Sequence, residues 1–74
     1  MQDETFATKI GSAIRSRRTE LGLSQERFAD GIAMHRAYYS SIERGEKNIT
    51  LATLVRLAEG LGVKPSFLLG SAGY

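Results

Sequence analysis

Seventy-four residues make one small domain, at the size where a single apolar core is barely sufficient. With no cysteine, no tryptophan and one proline, disulfides and thiolate metal sites are excluded, and the core must be Leu, Ile, Ala, Val and a few Phe or Tyr. Ten Lys plus Arg against eight Asp plus Glu leave a net charge of only +2, which excludes a histone-like polybasic binder.

That composition favours helices packed on helices. The longest uncharged apolar run is far short of a membrane span, and the polar, acidic start MQDETFATKI is unlike a signal peptide. A cytoplasmic location with no membrane partner is the expectation. Asp3 and Glu4 fall in an expected flexible tail, residues 1–5, while Arg15, Arg17, Arg18, Arg27, Arg36, Arg44 and Lys47 gather in the middle. Taken alone, such a pattern is more often a solvated surface than a nucleic-acid site.

In chain order, Phe6, Ile10, Ala13, Ile14 and Leu21 fall mostly at three- and four-residue steps and predict an amphipathic helix from Phe6 to about Glu20. Gly22 stops it. Ser24 is a good N-cap for a second helix carrying Gln25, Phe28, Ala29 and Ile32, with Glu26 at the positive end of its dipole. A tight bend follows near Ala33 and Met34. Such a bend wants a left-handed residue, so either Ala33 bears that strain or the bend shifts towards Gly31. His35 or Met34 would cap the third helix, both weakly.

The stretch SQERFADGIAMHRAYYSSIER therefore reads as two short helices around a turn. Tyr39 and Ile42, three apart, share the buried side of the third helix, and Arg36, Ala37, Ser40 and Ser41 point elsewhere. A helix packed on one side, with small polar and basic side chains on the other, suits the DNA major groove. Tyr38 either reaches a phosphate or sugar or covers the helix edge, and Ser40 lies near the backbone. Gly45 ends this helix and Thr50 caps a fourth, whose stripe is Leu51, Leu54, Val55, Ala58 and Leu61. Gly62 closes it, and Pro65 opens a short fifth helix. The fold class is all-α with five helices, a domain over 6–69 and a C-terminal tail over 70–74.

Leu23-Ser24-Gln25-Glu26, Ala29, Ile42-Glu43-Arg44-Gly45-Glu46, Leu51, Leu54 and Leu57-Ala58-Glu59 together resemble the Cro/phage-repressor type of helix-turn-helix domain, which is lambda-repressor-like in fold. The likeness runs from about Ile10 to Leu68. A chain little longer than the domain, with Asn48-Ile49-Thr50-Leu51 after the reader, is also similar to controller proteins of restriction–modification systems. The family commonly has glycine where this chain has Ala33.

The resemblance implies roles by position. Arg36, Ala37 and Ser41 match base-reading positions of the third helix, and Gln25 matches a phosphate-binding glutamine. Arg44, Lys47 and Asn48 fall where relatives grip the phosphate strand, with a floating surface charge the alternative for Lys47. Arg18 and Glu43 match a structural salt bridge between the first and third helices. Arg36 reads otherwise as a solvated or phosphate-bound arginine, and Gln25 as a surface glutamine.

His35, the only histidine, has no Cys partner and no adjacent nucleophile or orienting carboxylate. It reads as a cap-region residue close to a phosphate, so no catalytic residue, metal or cofactor is expected. Asn48-Ile49-Thr50 fits a glycosylation pattern by chance, there being no secretory signal. Val63, Phe67, Leu68 and Leu69 exceed what one short helix needs to pack inward, which predicts a homodimer patch among them, the alternative being that all four are core. The expected function is a transcriptional regulator that binds double-stranded DNA as a homodimer through residues 36–44 and blocks or recruits RNA polymerase. Glu26, Asp30 or Glu46 offer an acidic contact for recruitment. The rival is an antitoxin-like protein-interaction module.

Overall fold

Thr5 opens the first helix by accepting the Thr8 N–H at 3.2 Å through its hydroxyl. The computed structural model describes residues 5–74, so residues 1–4 of the expected tail lie outside the described residues. Among the described residues the chain forms α1 (Phe6–Glu20), α2 (Gln25–Gly31), α3 (Arg36–Glu43), α4 (Leu51–Leu61) and α5 (Pro65–Ser71). Ser24 and Thr50 cap α2 and α4, accepting the Arg27 and Thr53 N–H groups, each at 3.1 Å. His35 is the N-cap of α3 without a side-chain bond, and Met34 is core instead.

The helix ends are alike. A residue at the C-cap (α4) or just past it (the other four) turns left-handed, and two N–H groups fold back onto the last turn, as in a Schellman motif. After α3, for example, the Gly45 N–H donates to the Ile42 carbonyl and the Glu46 N–H to that of Ser41, both at 3.0 Å. Four helices place glycine at the left-handed position. α2 places Ala33 there, at φ 54°, with the Ala33 N–H on Asp30 at 3.1 Å and the Met34 N–H on Ala29 at 2.9 Å. The bend therefore stays at Ala33 and does not shift to Gly31. A side chain in that conformation costs ~1–2 kcal/mol.

The core gathers Ile10 and Ile14 of α1, Phe28 and Ala29 of α2, Tyr39 and Ile42 of α3, Leu54, Leu57, Ala58 and Leu61 of α4, and Leu68 of α5. α1 packs against α3, α4 and α5, and α2 against α3. Phe28 and Tyr39 meet with ring centroids 5.0 Å apart, which joins the two helices of the helix-turn-helix.

Three expectations need correction. Leu51 is 78% exposed and Val55 40%, so neither belongs to the buried stripe of α4. That stripe is Leu54, Leu57, Ala58 and Leu61. Val55 lies about 100° around the helix from Leu54, and Leu51 sits at the free first turn. Leu68 is fully buried, so it fills the core and is not available to a dimer patch. Residues 70–74 are not a loose tail. α5 runs to Ser71, the Tyr74 N–H donates to the Leu69 carbonyl at 2.9 Å, and the Tyr74 ring lies 5.3 Å from that of Phe6.

Candidate nucleic-acid interface

α3 is held from beneath by one carboxylate. Glu43 accepts two hydrogen bonds from Arg18 of α1, at 2.6 and 3.1 Å, one from the Tyr39 hydroxyl, and one from the Gln25 amide of α2 at 2.8 Å. Arg18 also donates to the Leu23 carbonyl at 2.6 Å, so the pair ties α1, α3 and the start of α2 together. Both charges are buried and hydrogen-bonded, which is the condition for such a pair to be tolerated. Burial pushes the Glu43 carboxyl up, but the bonds from Arg18, Tyr39 and Gln25 and the Arg18 charge outweigh it and hold the group below the usual carboxylate range. Burial and the Glu43 bond push the Tyr39 phenol up, so it stays a neutral donor.

The opposite side of α3 is open. Arg36, Ala37, Ser40 and Arg44 share one edge at helical spacing and line a shallow groove with Gln25. Arg44 is braced across it: Nη1 donates to the Ser40 hydroxyl at 2.6 Å, while Nε and Nη2 grip the Glu46 carboxylate at 2.8 and 3.1 Å. Arg36 donates to Glu26 at 3.2 Å, with both side chains largely exposed. Exposed pairs of this kind are weak and easily exchanged for a ligand anion.

Ser41 is not on this edge. It is buried, its hydroxyl donates to the Tyr38 carbonyl at 2.6 Å and its own carbonyl accepts the Glu46 N–H, so it is not placed to read a base as the resemblance implied. Gln25 is half-buried and gives one amide hydrogen to Glu43, which leaves the second free. His35, Tyr38, Lys47 and Asn48 are exposed, His35 and Tyr38 on α3 and its cap and the other two in the loop beyond it. At the far end, Phe67 is 49% exposed, while Val63 and Leu69 are partly buried against the core.

Two positions escaped sequence reasoning. Gly11, midway along α1, faces the last turn of α3; a Cβ there would overlap the Ile42 carbonyl oxygen and lie 2.8 Å from that of Glu43. A glycine kept inside an amphipathic helix was the available signal. Arg56 of α4 donates to the carbonyls of Ile32 and Ala33, and a lone arginine between apolar positions gave no signal. Among the described residues, no cluster of three or more His, Cys, Asp or Glu has metal-binding spacing, and no helix is long and apolar enough to cross a membrane.

The helix-turn-helix family model matches residues 14–68. The control protein C.MunI of Mycoplasma sp is 43% identical over 61 residues, covering 81% of this chain and 82% of that protein. The crystal structure of the restriction–modification controller protein C.AhdI from Aeromonas hydrophila is similar with a TM-score of 0.80 and 37% identity, over 84% of this chain and 94% of that one. The controller protein C.Esp1396I, solved as a tetramer with its natural 35 base-pair operator, is similar with a TM-score of 0.81 and 32% identity, over 93% of this chain and 97% of that one.

Proposed function

Because this chain belongs to the helix-turn-helix family of DNA-binding transcription regulators, we propose that it binds a roughly palindromic operator as a homodimer, with α3 in the major groove. One observation carries this reading: Arg36, Ala37, Ser40 and Arg44 face outward together while Tyr39, Ile42 and Glu43 are locked beneath them. Arg36 is the base reader, since its planar fork reaches guanine O6 and N7 together, and Ala37 meets a thymine methyl. Gln25, His35, Tyr38, Ser40, Arg44, Lys47 and Asn48 meet phosphates and fix the register. With one long base reader per copy, DNA shape and deformability supply much of the specificity.

The similarity to C.MunI and C.AhdI supports the narrower reading, that the chain controls a restriction–modification system. Regulation acts by occupancy in the cytoplasm, blocking or recruiting RNA polymerase. The testing experiment is selection of bound duplexes from a random pool, followed by a salt titration of the selected duplex. Contact with about four to six phosphates gives a log–log slope of about −4 to −5 by counterion release. A slope near zero would refute DNA as the ligand and point to a protein partner.

A further inference from the structure

The left-handed turn between α2 and α3 differs from the other four helix ends in having a side chain, Ala33, where they have glycine. Arg56 of α4 reaches this turn. Its Nη2 donates to the carbonyls of both Ile32 and Ala33, the second at 2.7 Å. These carbonyls lie at the negative end of α2, beyond its last helical bonds, where a guanidinium is the natural partner. One turn along α4, Gly60 faces the same place. A Cβ there would overlap Ile32 Cγ2 and lie 3.2 Å from the Phe28 ring.

We infer that Arg56 is a positioning residue for the reader helix: through Ile32 and Ala33 it holds the left-handed turn shut and fixes the angle at which α3 leaves α2. Alanine prefers the right-handed conformation, and rotating Ala33 towards it would swing its carbonyl away from Arg56 and redirect the chain into α3. Met34, buried next to it, anchors the other side of the turn. The two N–H groups of one guanidinium nitrogen suit this task, because they hold two successive carbonyls at one point.

The inference rests on the DNA-reading role of α3, so its test has one arm with DNA and one without. Arg56→Met keeps the aliphatic stem and removes both bonds; it is compared alone and with Ala33→Gly, which relieves the turn. Without DNA, Arg56→Met is expected to shift the unfolding equilibrium about tenfold beside Ala33, and by no more than about threefold beside glycine. With the selected duplex and a scrambled duplex of the same length, at a temperature where all variants are folded, Arg56→Met is expected to cut discrimination about tenfold with the salt slope unchanged. Ala33→Gly then restores it. Equal unfolding costs in both backgrounds would overturn the inference, since Arg56 would then be an ordinary surface tie. A salt slope reduced by about one, with both duplexes weakened alike, would also overturn it, because Arg56 would then be touching phosphate. If selection yields no duplex, the DNA reading fails, and the unfolding arm still decides whether Arg56 holds the turn.

Discussion

Glu43 is the residue on which the interface most depends, although it faces away from it. Its four hydrogen bonds come from three elements: two from Arg18, one from Tyr39 and one from Gln25. Removing the carboxylate leaves Arg18 buried without its counter-charge, at a cost of ~3–5 kcal/mol, a large part of the stability of a domain this small. Glu43→Ala should therefore fail in unfolding assays before it fails on DNA. The pH dependence follows from the depressed carboxyl. Its folded value lies below the ordinary 4.5, so it contributes stability that is fully present above that value and is lost as pH falls through the folded one. Urea unfolding followed from about pH 5 to 3 should show wild-type stability falling more steeply than that of Glu43→Gln. Parallel slopes would show that Glu43 is not held below its ordinary value.

At the scale of elements, the reader depends on how closely α1 approaches its last turn. Gly11 permits that approach, and Gly11→Ala should push α1 off the Ile42 and Glu43 carbonyls, costing ~1–3 kcal/mol by overpacking. Thermal unfolding checks this, and an unchanged midpoint would mean that the two helices part without penalty. The five helices and their caps at Ser24 and Thr50 were legible because period and capping are local properties. Ser41, Leu68 and residues 70–74 were not. Ser41 sits between exposed Ala37 and Tyr38 around the helix, yet it is buried, so its spacing along the helix did not reveal its burial. Leu68 and Phe67 are neighbours in a short helix with no charged residue to mark its wet side, so sequence could not divide core from surface. The docking of Tyr74 on Phe6 joins the two ends of the described chain, a contact that no local pattern encodes. The outward placement of Arg36, by contrast, was legible from its spacing against Tyr39 and Ile42, though its pairing with Glu26 across ten residues was not.

At the scale of the molecule, one copy presents one short reader, and a net charge of +2 is too small to hold DNA by attraction alone. On the proposed reading, affinity and specificity then come from pairing two copies whose α3 helices stand about 34 Å apart. The exposed side chain of Phe67 is the surface we propose for that pairing, with the uncovered parts of Val63 and Leu69. Sedimentation should show Phe67→Glu shifting dimer to monomer with helical content unchanged; a full dimer in the variant would move the interface elsewhere. Lys47→Ala should weaken selected and scrambled duplexes alike, whereas Arg36→Ala should lose ~1–3 kcal/mol of discrimination between them. The most direct test of the outward face of α3 is guanine-N7 methylation interference on the selected duplex, with wild type and Arg36→Ala. The account predicts interference at one guanine per half-site, the two about one helical turn apart, and its loss in Arg36→Ala. Interference that persists unchanged without the Arg36 guanidinium, or none at any major-groove guanine in the wild type, would contradict it.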